Sequence, residues 1–176
     1  MLMPPPPETV LSLLEPDEVI VPLLIDSPHS GRHYPPDFNY TCPYDLLQQT
    51  EDNHLEIFLD DLPEKGVHVL HAHFPRCYID VNRAATDIDP ALLAEPWPGD
   101  IRPSIRSEAG IGLVRRLVRP GIPVYKRDLS AAEIKHRIDH YYTPYHKALS
   151  EYLDMLHYNF GQAWYLNMHS MPHSTA

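Results

Sequence analysis

The sequence predicts an α/β fold, a mixed sheet flanked by helices. Three observations carry this. Val19 to Ile25 is a nearly continuous apolar run with β-branched residues, the composition of a strand buried on both faces. Ile134, Ile138, Tyr141, Tyr145, Leu149, Tyr152 and Leu156 recur at spacings of three and four, the period of a helix with one apolar face. Ala163 to Met168 is a second short apolar run directly after that helix. Strands that alternate with helices imply a sheet layered against them.

Taken in order, residues 1–15 read as a proline-rich, loosely packed lead-in, with Pro4 to Pro7 extended. Residues 16–176 read as a single α/β domain, since 176 residues suffice for one core and not for two. The first strand, Val19 to Ile25, contains Pro22, which prefers sheet edges. Gly31 to Pro43 is rich in proline and polar residues and reads as a loop over a site. Tyr44 to Leu62 has helical spacing at Leu47, Leu55, Phe58 and Leu62, with Pro63 and Gly66 as stops. Val67 to Phe74 and Cys77 to Val81 read as two strands joined around Pro75. Ala84 to Arg106 should be mostly loop, Ile111 to Val118 a short helix, and Pro123 to Tyr125 a short extended piece. Ser130 and Glu133 form a capping-box pattern at the start of the long helix, Pro144 should kink it, and Gly161 suits its end.

Composition narrows the function. With 24 acidic against 14 basic residues, the formal charge of −10 argues against nucleic acid or an anionic membrane surface as partner. A small anionic substrate remains compatible, because local arginines can dominate one pocket. Cys42 and Cys77 lack a C-x-x-C spacing and suggest a reducing compartment. No stretch has the length of a membrane span, and the N-terminus has no basic region ahead of its apolar residues. The expectation is a cytoplasmic protein.

Two histidines stand out. His29 lies in LLIDSPHSG and His169 in YLNMHS, each a strand that stops at histidine followed by serine. Strand ends are where α/β sheets build their sites. Two imidazoles and a carboxylate would make an open three-ligand zinc site. By itself PHSG is also an ordinary turn sequence. The third ligand is expected from Glu51, Asp52 or His54; Asp52 and His54 are two apart and do not share a helix face. Other histidines compete. His71 and His73 share one strand face, and His136 and His140 are four apart on the long helix, largely opposite its apolar stripe. His146 follows the proline kink, where it lines the site or bonds across the break. Ser30 and Ser170 lie in no G-x-S-x-G elbow, which discounts nucleophilic catalysis. In PRCYIDVNR, Arg76, Asn82 and Arg83 suit a carboxylate ligand, since a guanidinium fork matches one bidentately. The competing reading pairs Arg83 with Asp80 or Asp87.

Five segments together resemble the N-formylglutamate amidohydrolase (formylglutamate deformylase) family. They are SPHSG at Ser27 to Gly31, ED at Glu51-Asp52, FPRCYIDVNRA at Phe74 to Ala84, RIDHYYTPYHKAL at Arg137 to Leu149 and LNMHSMP at Leu166 to Pro172. The resemblance implies a zinc-exopeptidase-like (phosphorylase/hydrolase-like) fold and a Zn2+ site of His29, Asp52 and His169. It also implies substrate-carboxylate binding by Asn82-Arg83, and removal of formate from N-formylglutamate in histidine degradation. Asn167 departs from the family, where aspartate is common, and is expected to alter the surroundings of His169. Family members continue well past HSMP. The chain is therefore expected to be the N-terminal portion of such a protein, with the general base beyond Ala176 and apolar surface open to self-association. Glu51, Glu56 and Glu108 are the available substitutes for that base, and none lies in a matching motif. Two other readings fit the same residues: a metal-binding fragment without turnover, and a related amidohydrolase of another N-acyl amino acid.

Overall fold

A computed structural model describes residues 9–171 of the chain. Its centre is a four-stranded mixed sheet in the order β1-β3-β2-β6, built from β1 (Leu11–Leu14), β3 (His68–Ala72), β2 (Leu23–Ser27) and β6 (Trp164–Asn167). β3, β2 and β6 run parallel, and β1 joins β3 antiparallel. One sheet face packs Leu24, Leu70 and Ala72 into a core shared with Tyr145 and Leu156 of the long helix. The other packs Ile25, Val67 and Val69 against Leu55 and Leu59. β2 and β3 are thus covered on both faces, as central parallel strands require, while β6 forms an exposed edge.

Several expectations are corrected. The first predicted strand begins at Leu23 and not Val19, because Pro22 has no N–H for a ladder; its carbonyl instead accepts the Trp164 N–H at 2.7 Å. Leu11–Leu14, placed by the sequence in the lead-in, is the strand β1 that closes the free edge of β3. Pro4 to Pro7 lie outside the described residues. The single helix expected over Tyr44 to Leu62 is two short ones, α1 (Tyr44–Gln48) and α2 (Glu56–Leu59). The chain breaks between them because the Asp52 N–H bonds the His29 carbonyl at 3.0 Å and His54 takes a left-handed φ of 67°.

Cys77 to Val81 is not a strand. Its carbonyls are taken by side chains of the long helix: Arg137 Nη1 donates to Tyr78 O at 3.0 Å and His146 Nε2 to Val81 O at 2.9 Å. Tyr142 adds a third anchor at Arg83 O, 2.9 Å. A β-prone composition loses its ladder when its backbone acceptors are occupied in this way. Ile111 to Val118 is likewise not helical. Its Leu113 carbonyl accepts Asp80 N–H at 2.7 Å, tying it to the 76–83 loop, and the neighbouring helix α3 (Ile105–Glu108) is capped by Ser104. Beyond it, β4 (Leu117–Arg119) and β5 (Ile122–Pro123) form a small antiparallel hairpin.

The long helix starts at the expected capping box, with Ser130 and Glu133 bonding each other's backbone N–H. It runs as α4 (Ala131–Arg137), a π-helical turn over Ile138–Tyr142, and α5 (Thr143–Phe160). The irregular turn precedes Pro144, which has no N–H for the carbonyl one turn back. Gly161 ends the helix with a φ of 71°.

Candidate metal centre

His29 and His169 meet beyond the ends of adjacent parallel strands. β2 and β6 are paired from Leu23↔Trp164 to Asp26↔Asn167, so His29 and His169 follow the ladder within a few residues of its end. The tight PHSG turn is held by its glycine. A side-chain carbon on Gly31 would lie 2.4 Å from the His73 carbonyl carbon, and only glycine permits that approach. The Ser30 hydroxyl is engaged by Ser27 at 2.5 Å.

Donor atoms of His29, Asp52 and His169 all lie within 4.8 Å of one another. His29 Nδ1 and His169 Nδ1 are 3.2 Å apart, and Asp52 Oδ2 lies 2.7 Å from the latter and 3.6 Å from the former. Four-coordinate zinc with ligand distances of about 2.0–2.1 Å separates neighbouring donors by about 3.3 Å, so this triangle fits. The donor types, two imidazole nitrogens and one carboxylate oxygen, fit equally well.

The surrounding bonds fix the imidazoles. His29 is fully buried, and its Nε2 donates to Asp80 Oδ1 at 2.7 Å, which leaves Nδ1 facing the triangle. This carboxylate–histidine pairing is the usual outer support of a metal ligand. Burial alone would push the Asp80 carboxyl up, but His29 and Arg76 outweigh it and hold the group well below the usual range. Burial also opposes ionisation of Asp52, and its bonds to His29 and His169 likewise prevail. Asn82 Nδ2 lies 3.1 Å from His169 Nε2. That contact directs the ring's Nδ1–H toward Asp52, a proton that metal binding would release.

The remaining candidates separate clearly. Glu51 is buried but bonds the Tyr34 hydroxyl, with Arg32 at 3.5 Å; burial pushes it up to about 7. His54 is exposed. His73 donates to Thr9 O and accepts from Ser12 at the β1 edge, and His71 is half-buried opposite Ser12. His136 and His140 lie on a solvated face. His146 bonds across the kink. Arg76 faces protein carboxylates, Asp80 at 2.9 Å and Asp52 at 3.9 Å. Arg83 pairs with neither Asp80 nor Asp87; Nη1 donates to Asn82 O at 3.0 Å and Nε to Ile111 O at 3.5 Å.

Sequence reasoning missed three groups. In the sequence Asp80 reads only as an ion-pair partner of Arg83. Arg137 is buried and stacks on Tyr78 at 4.2 Å, fixing the 76–83 loop. Asp26 is also buried, and its Oδ2 accepts from Tyr145 at 2.6 Å, Tyr165 at 2.8 Å and Asn167 at 3.3 Å. Burial raises its pKa despite those bonds. An acid ending an apolar run was the available signal. The Asn167 side chain turns to Asp26 and Tyr165, not to His169. An amide suits that place because a second carboxylate would oppose Asp26.

The family model for N-formylglutamate amidohydrolase matches residues 21–176. The chain is 30% identical over 154 residues to the N-formylglutamate deformylase of Pseudomonas aeruginosa, covering 86% of this chain and 52% of that protein. It is 28% identical over 158 residues to the deformylase of Pseudomonas putida, with the same coverage. The chain thus spans about half the length of these curated relatives. The crystal structure of N-formylglutamate amidohydrolase from Ralstonia eutropha JMP134 superposes with a TM-score of 0.89 at 42% identity, over 92% of this chain and 58% of that one. A gene product of Agrobacterium tumefaciens shares the fold, with a TM-score of 0.67 at 17% identity. Sequence and fold agree across these matches, and the chain belongs to the N-formylglutamate amidohydrolase family.

Proposed function

We propose that this fold serves a zinc-dependent hydrolase of the formyl amide of N-formyl-L-glutamate, giving formate and L-glutamate in histidine degradation. The observation that carries the reading is the convergence of His29, Asp52 and His169 from separate segments onto one triangle. The reading assigns this triangle to zinc and the fold to the zinc-exopeptidase-like class. When bound, zinc supplies Lewis acidity at a carbonyl oxygen and makes water nucleophilic near neutral pH.

The chain's own residues divide the remaining work. Asp80 holds the His29 ring, Arg76 neutralises the two site carboxylates, and Asn82-Arg83 faces the substrate carboxylate. Glu51 bonds Tyr34 and lies near Arg32, and it is not one of the three converging donors. Glu56 and Glu108 are also outside the triangle. A second reading keeps the same triangle, a metal-binding fragment without turnover. The two free, buried cysteines support a reducing cytoplasmic setting. Among the described residues no helix is long and apolar enough to cross a membrane.

Formate release from N-formyl-L-glutamate by the zinc-loaded chain tests the proposal. General-base catalysis contributes about two to four orders of magnitude to such a reaction, and an ordinary turnover is about 10 per second. We expect release that chelation abolishes, at a rate between the uncatalysed one and that ordinary turnover. Chelator-insensitive release would contradict zinc dependence. No release above the uncatalysed rate would replace the hydrolase reading with the metal-binding one.

A further inference from the structure

We propose that Arg115 forms an anion-binding subsite beside Arg83 and the His29–Asp52–His169 triangle, taking the second carboxylate of a dicarboxylic ligand. The proposal takes its ligand class from the hydrolase reading; its geometry stands apart from that reading.

Arg115 is 9% exposed, and its Nε has no hydrogen-bond acceptor. Among the described residues it forms no ion pair, although acidic side chains outnumber basic ones by 24 to 14. A buried cation without a carboxylate carries a large desolvation cost. A ligand anion offsets such a cost in the bound state.

The backbone brings this cation to the site. Asp80 N–H bonds Leu113 O at 2.7 Å, Arg83 Nε reaches Ile111 O at 3.5 Å, and Ile111 bridges Arg115. The 111–115 segment is therefore laid along the 80–83 loop, whose Asn82 touches His169. The charged neighbours acting on Arg115 include Arg76, Asp80 and Arg83. Asp80 is the only carboxylate among them. Its oxygens already serve His29, the Asn82 N–H and Arg76. Arg83 spends its bonds on two carbonyls and no carboxylate. Two guanidiniums are thus left without anionic partners next to the triangle. Planar forks of this kind match carboxylates better than ammonium groups do.

Calorimetric titration of the zinc-loaded chain with glutarate and with butyrate tests the subsite. Neither probe has an amide, so binding is read whether or not turnover occurs. Glutarate should bind about tenfold or more tightly than butyrate, the scale of a charge-assisted bond. Arg115→Lys should remove most of that preference, and zinc content should stay unchanged. Equal affinities in the unaltered chain, or a preference that survives Arg115→Lys, would overturn the proposal. If Arg115→Lys does not fold, the unaltered 15N-labelled chain still decides. One buried arginine Nε–H signal should shift with glutarate and not with butyrate, and its failure to shift contradicts the subsite. Zinc that fails to bind at all contradicts the metal reading separately.

Discussion

His29 and His169 face each other, but their settings differ. His29 is fully buried, sits in a turn fixed by Gly31, and is held by the buried Asp80. His169 is exposed and follows β6, an edge strand whose Trp164, Tyr165 and Leu166 are 63%, 39% and 49% exposed. Its ring is held by Asp52 and Asn82 and touches His29. One imidazole is preorganised by the core; the other depends on a few polar contacts and on strand register. On the proposed metal reading, affinity is built in from the β2 side, with β6 closing the triangle.

The largest effect is expected at Asp80. Asp80→Asn keeps the volume but weakens the charge-assisted bond to His29, and loss of such outer support costs about 10–100-fold in metal affinity. Competition with a chelator of known affinity measures it; unchanged affinity would make burial alone the source of His29 order. On the β6 side, Asn167→Asp sets a carboxylate against Asp26 and removes an amide donor. We expect about 1–3 kcal/mol less stability by thermal unfolding. The combined swap Asp26→Asn with Asn167→Asp should recover part of it, and failure to recover would deny a specific pair.

The smallest effect belongs to a site that touches neither histidine. Glu133 is held at about 2, below the usual 4.5, first by Arg127 and then by Ser130. Its contribution is complete above pH of about 4.5 and fades as pH falls toward about 2, because the unfolded chain then binds the proton more readily. Glu133→Gln should flatten acid unfolding in that window, with a cost at neutral pH below about 1 kcal/mol for so exposed a pair. Zinc content should not change.

Much of this was legible in the sequence where local signals and tertiary demands coincide. The capping box at Ser130, the apolar stripe to Leu156 and the strand–His–Ser pattern all survive in the structure. Cys77 to Val81 misleads because its β-prone residues serve as an anchor for Arg137, Tyr142 and His146, which lie about 60 residues away in sequence. Leu11–Leu14 was obscured by the proline run before it, and only its partner β3 makes it a strand. Arg115 carries no local pattern at all. Its burial depends on a loop whose path is set by bonds to Asp80 and Asp87.

Elemental analysis after mild purification tests the proposed metal site of His29, Asp52 and His169. The account predicts about one zinc per chain, from three protein ligands and an open position, and loss of stoichiometric zinc in both His29→Ala and His169→Ala. Full zinc occupancy in the double variant would contradict the account and move the metal to another donor set, with His71 and His73 the first to examine.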